Sequence, residues 1–192
     1  MSSESSRYLI FSVIGPHAGE DQEAIFHRKA RDIEKTSMTF WLIRSYEAKP
    51  SMVQKLCWTA RQESSEVCCY FIEPSSRMGA SPTKCADAAT GYSPDSINWT
   101  SLPRGSSPVT GRIDNGAYAL VFNQIDQCNS IIDLWDYANF LEPSEPIILR
   151  QGASTICAVR EDTSTHPRRM RRNNRVARAF ATLAEPFAVW LR

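Results

Sequence analysis

The first 73 residues constrain the fold most, because their hydrophobic period alternates between that of a strand and that of a helix. "RYLIFSVIG" is a compact apolar run with aromatic and β-branched residues, which predicts a buried strand. In "AGEDQEAIFHRKARDIEKT" the residues Phe26, Ala30 and Ile33 stand at i, i+4 and i+7, one face of a helix. Its first turn is acidic and its last carries Lys35, which suits the helix dipole. "MTFWLIRS" predicts a second strand. "KPSMVQKLCWTARQ" predicts a second helix with Val53, Leu56, Cys57 and Ala60 as its stripe, and Ser51 with Gln54 has capping-box spacing. "EVCCYFIE" closes the series as a third strand. Strand and helix in alternation predict an α/β fold with a mixed sheet and right-handed crossovers.

The length of 192 residues fits a single compact domain over 1–192. After the alternation of 7–73, residues 74–108 are rich in Ser, Pro and Gly and hold Tyr92 and Trp99. A loop that long is usually functional or hides a short helix, for which "PTKCADAA" is the candidate. Over 109–160, "VTGRIDNGAYALVFNQI" predicts a hairpin about Asp114-Asn115-Gly116. "SIIDLWDYANF" predicts a short amphipathic helix, and "PIILRQGASTICAVR" one or two strands. Residues 165–192 predict a basic helix that starts at Pro167 and ends at Pro186, then a final strand "FAVWLR".

The charge is unevenly spread. The formal total is +1, yet residues 151–192 hold eight Arg, no Lys and three acids, a local +5 that leaves −4 on the first 150 residues. Arg168, Arg169, Arg171, Arg172, Arg175 and Arg178 crowd into "PRRMRRNNRVAR". Arg binds phosphate through a rigid fork, so this stretch predicts a nucleic-acid contact through the phosphate backbone. Pairing with the acidic body or with an acidic protein are the alternatives. The six cysteines form no CxxC pair and no zinc spacing, and several sit in apolar runs, which predicts buried free thiols. The apolar run near the N-terminus is too short for a usual signal peptide or a membrane span, so a cytoplasmic protein is expected.

Three further places could carry chemistry. "IGPHAGED" joins the first strand to the first helix, where ligands collect in open α/β sheets. His17 is a candidate acid or base there, and Glu20 and Asp21 are candidate ligands for a divalent metal, although two acids also make an ordinary helix start. Arg44, at the end of the second strand, is expected at the same sheet edge, where it could grip a phosphate. These four residues form the candidate catalytic set. A nuclease built on them would need Mg²⁺. Trp99 is the candidate anchor for a protein partner. Cys157 beside Arg160 could be a nucleophile, but its apolar alternation favours a buried structural thiol.

Across "PHAGED", "IFHRKARDIEKTSMTFWLIRS", "SPVTGRIDNGAYALVF" and "GASTICAVR" the chain resembles the small fertility-inhibition proteins of conjugative plasmids, the group that includes Osa and FiwA. The resemblance implies a ParB/sulfiredoxin-type fold. It also implies a plasmid-encoded protein that blocks DNA export through a type IV secretion system, acting on DNA or its nucleoprotein. ATP-linked, Mg²⁺-dependent DNase activity has been associated with that fold class. The ParB Gly-Glu-Arg-Arg box and the sulfiredoxin Gly-Cys-His-Arg run are both absent, so no catalytic residue transfers. A non-enzymatic inhibitor that docks on a coupling protein or relaxase remains open, as does a small-molecule or modified-base binder.

Overall fold

The computed structural model describes residues 7–15, 20–43, 46–74, 87–110, 113, 117–144, 146–149, 154–161 and 173–192. The expected alternation is present as β1 (Tyr8–Val13), α1 (Gln22–Thr36), β2 (Thr39–Ile43), α2 (Pro50–Gln62) and β3 (Val67–Ile72). Next come β4 (Gly91–Ser93), β5 (Thr100–Ser101), β6 (Tyr118–Asp133), β7 (Tyr137–Asn139), β8 (Thr155–Arg160) and β9 (Asn174–Leu191). The fold is α/β, with nine strands in one mixed sheet of order β2-β6-β9-β3-β1-β8-β7. The short β4 extends β9 at one end and pairs with β5.

Local chemistry explains the helices. Asp21 caps α1 by accepting from the Ala24 N–H at 2.8 Å, and Ser37 ends it in the left-handed region. In α2, Pro50 occupies the first turn, where its missing N–H is harmless. Ser51 is not its cap, and no side chain caps α2. Gln54 instead donates to the Pro94 and Ala188 carbonyls at 3.0 and 3.2 Å.

Both helices cover one face of the sheet. Phe26 from α1 and Val53, Leu56 and Cys57 from α2 share a core with Ile10, Phe71, Leu120 and Ala181. The opposite face has two smaller cores. One joins Leu9, Phe11 and Tyr70 to Ile132, Leu134, Tyr137 and Ile147. The other joins Phe40 and Val121 to Ala89, Val109 and Leu191. Cys57, Cys68, Cys69 and Cys157 are buried free thiols and Cys128 is half-buried, as their apolar settings predict. Burial pushes the Cys57 thiol up to about 12 and the Cys157 thiol higher still, which removes Cys157 as a nucleophile.

Four expectations need correction. The first concerns direction. β1 and β3 are parallel, but β2 runs antiparallel to β6, β6 to β9 and β9 to β3, so β2 opposes β1. Second, β6 continues as a strand through "SIID", and a single 3-10 turn, Leu134–Asp136, stands where a short helix was expected. Third, the described residues of the expected hairpin's first arm, Val109, Thr110 and Ile113, form no strand, and its turn at 114–116 lies outside the described residues. Thr110 makes only an isolated bridge to Ala88.

The fourth correction is the largest. The C-terminal helix is absent over 174–191, where β9 runs as a central strand between β6 and β3. Ala177, Ala179, Ala181 and Leu183 are buried while Arg178, Phe180 and Thr182 are less so, which is a period of two. β9 is bulged near Pro186, since Leu120 faces Ala188 while Phe122 faces Leu183.

Candidate nucleic-acid interface and the adjoining groove

The arginine-rich stretch divides at the start of β9. Arg168, Arg169, Arg171 and Arg172 lie outside the described residues, whereas Arg175 and Arg178 are on β9. The two ends of segment 162–172 are fixed to one turn. Glu161 donates its N–H to the Asp136 carbonyl at 2.9 Å. On the other side, the Leu134 N–H donates to the Asn173 carbonyl at 3.1 Å, and the Asn173 N–H to Asp133 Oδ1 at 2.9 Å. Asp133 Oδ1 also accepts from the Trp135 N–H at 3.1 Å. Glu161 and Asn173, which flank residues 162–172 in sequence, therefore meet at one corner, where Arg175 is also found.

Arg178 behaves differently from Arg175. Phe71 faces Ala179 and Ile72 faces Ala177, so Arg178 is an extra residue in β9, a β-bulge. β6 carries its own irregularity here, since Gln127 faces Ala179 and Ser130 faces Ala177. The paired bulges re-aim Arg178. Its Nε donates to Glu73 Oε1 at 2.6 Å and its Nη1 to Asn129 Oδ1 at 2.9 Å. For this arginine, pairing with the acidic body is what the structure shows. Arg175 donates to the Asn174 carbonyl at 3.3 Å, a weak contact at the surface.

Beside that bulge lies an open groove of about 340 Å³. Gln22, Glu23 and Phe26 of α1 form one wall, and Gln127 and Cys128 of β6 the other. Glu73 and Arg178 lie between. The groove sits at the carboxyl ends of β1 and β3, the parallel pair, where α/β folds collect ligands. Sequence reasoning placed a site at this edge through His17 but missed Glu73, Gln127 and Arg178 as its lining. Glu73 is the last residue of the predicted third strand, so its place at a strand end was as readable as that of His17. The bulge that aims Arg178 has no signal in the sequence.

Of the expected catalytic set, Glu20 and Asp21 are described, whereas His17 and Arg44 lie outside the described residues. β2, which precedes Arg44 in sequence, runs antiparallel to β1, so the carboxyl ends of these two strands lie at opposite edges of the sheet. Glu20 is held by Arg28 in a bidentate pair at 2.7 to 3.1 Å, and Asp21 is spent on the helix cap. Those two carboxylates do not fit a magnesium site as placed. Among the described residues no three His, Cys, Asp or Glu side chains converge as metal ligands.

Trp99 is half-buried beneath Arg192, whose guanidinium lies 4.6 Å from the ring centre, so it is not a free anchor. The exposed apolar residue on that segment is Ile97, 77% accessible. Asp95 holds it out. Its carboxylate accepts from the Ile97 and Asn98 N–H groups and from Ser93 Oγ, each at 2.8 Å, and from Asn98 Nδ2 at 2.7 Å. The Asn98 and Ile97 N–H groups keep this carboxyl well below the usual range.

No family model, curated protein or solved structure matches the chain. Among the described residues, no helix is long and apolar enough to cross a membrane.

Proposed function

We propose that the chain is a nucleic-acid-binding inhibitor of plasmid transfer. It grips the phosphate backbone of DNA with its arginine-rich segment, and so acts as a fertility-inhibition factor that blocks export through a type IV secretion system. The observation that supports this reading is the common anchorage of Glu161 and Asn173 on the Asp133–Asp136 turn. It holds Glu161 and Asn173, the described residues on either side of the arginine-rich stretch, at one corner beside Arg175, and fixed flanks lower the ordering cost of binding. The inhibitory role follows the resemblance stated above, and the expected site in the cytoplasm belongs to the same proposal. Binding is preferred to cleavage because Glu20 and Asp21, the described members of the expected set, have other partners. An ATP-linked, Mg²⁺-dependent DNase would have to use a different set.

Salt dependence tests this. Each phosphate contact contributes a slope of about −0.9 in log affinity against log salt. Replacing Arg168, Arg172 and Arg175 by Gln should weaken DNA binding on all sequences alike and flatten the slope by up to about three. Unchanged binding with an unchanged slope would overturn it. DNA cleavage by the purified chain with Mg²⁺ and ATP would restore the enzymatic reading.

A second reading has its own observation. The rigid display of Ile97 suits docking on a protein such as a coupling protein or relaxase. Ile97→Asp would then relieve inhibition while leaving DNA binding intact.

A further inference from the structure

The groove beside Arg178 has chemistry that the backbone-gripping role does not use. Its charged lining consists of two carboxylates, Glu23 and Glu73, and one guanidinium, Arg178. Arg178 is committed through Nε to Glu73 Oε1 and through Nη1 to Asn129, which leaves Glu73 Oε2 as an acceptor and Arg178 Nη2 as a donor. Glu23 is well exposed, with His27 3.7 Å away. Gln127 adds an amide that can serve as donor or acceptor. Phe26, buried against Trp41 and Phe71, supplies an apolar floor. The volume is at the small end of the range for small-molecule sites.

We propose that this groove receives a guanine base from single-stranded DNA. The match is one of hydrogen-bond pattern. On its Watson–Crick edge guanine presents two adjacent donors, N1–H and the N2 amino group, beside one acceptor, O6. Two carboxylates beside one guanidinium are the complement. Adenine, cytosine and thymine each present a single donor group on that edge, and would leave one of the two carboxylates without a donor from the base. A base paired in a duplex has this edge occupied, so the ligand is a single strand or an unpaired base. Arg175 precedes Arg178 on β9 by about 10 Å of strand. The source of the base rests on the nucleic-acid reading above, whereas the recognition of guanine rests on the groove alone.

The test uses the full chain. Binding is measured for an oligo(dT) strand, for the same strand with one central dG, dA or dC, and for the four free deoxynucleoside monophosphates. One dG should tighten binding about tenfold while dA and dC do not, and dGMP should bind better than the other three. Glu23→Gln, at an exposed position, should abolish that preference, and Glu73→Gln should do the same if it melts like the parent. A dG preference that survives Glu23→Gln, or equal binding of all four bases, overturns the proposal. The two readings fail separately. If oligo(dT) binds with a steep salt slope but dG adds nothing, only the groove reading falls. If oligo(dT) does not bind but dGMP does, only the backbone reading falls.

Discussion

Lys29 is a lysine with almost no contact with water, 5% exposed. Its ammonium donates to the Phe40 carbonyl at 2.5 Å, and the Asp32 carboxylate lies 4.0 Å away. Asp32, equally buried, accepts from Thr39 and from the Ser107 N–H and hydroxyl, which fastens the segment before β6 to α1. Desolvation, helped by neighbouring Arg28 and opposed by Asp32 and Glu20, lowers the Lys29 pKa from 10.5 to about 8. The folded chain therefore gives up this proton before the unfolded chain does. Between about pH 8 and 10.5 the unfolded state binds more protons, and stability from this group rises with pH. Relative to Lys29→Met, the parent should gain up to about 3 kcal/mol over that window. Urea denaturation of both proteins at the two ends of the window measures it, and a constant difference would mean that Lys29 titrates alike in the folded and unfolded chains. None of this was legible from residues alone. The stripe Phe26, Ala30, Ile33 fits the helix period, but the face that is buried is Ile25, Phe26, Lys29 and Asp32. A charged pair looks like solvent until the strand that it caps is known.

At the scale of elements, α1, α2 and the strands β1 to β3 were readable because each buries an apolar pattern close to its own. β9 was not. Val176, Phe180 and Leu183 have helical spacing, and Ala and Arg favour helices, so local propensity and a plausible stripe agreed on the wrong element. The competing signal is the row Ala177, Ala179, Ala181, Leu183, which is buried at every second position. Ala179 and Ala181 are small because β9 is central and these two share a core with Phe71 and Phe122 of its neighbours. The prediction is that Ala181→Leu, at a position with no accessible surface, destabilises the chain by about 1–3 kcal/mol through overpacking. In the expected surface helix the same change would cost almost nothing. Chemical denaturation separates the two, and an unchanged midpoint would contradict the packing of β9.

The whole molecule joins a sheet covered by helices on one side to a corner where β6 turns toward β7. Much of the candidate site depends on that closure, which is why sequence could mark Arg175 and the edge after β1 yet could not see that β2 runs opposite to β1. Asp133 is where closure and function meet, since its single oxygen Oδ1 holds both the Trp135 and the Asn173 N–H groups. Asp133→Ala removes both acceptor contacts, at a cost of about 1–3 kcal/mol in stability. Its effect on DNA should be of a different kind from that of arginine loss. Every arginine remains, so the number of phosphates neutralised and the salt slope stay the same. What changes is the fixed departure of the segment from its stem, so ordering it on DNA costs more and affinity falls by a uniform factor, about tenfold, at every salt concentration. Parallel binding lines for the parent and Asp133→Ala are the expected result. Coincident lines would show that the anchorage of Asn173 does not serve DNA binding, and a flattened slope would show that Asp133 sets which arginines reach phosphate.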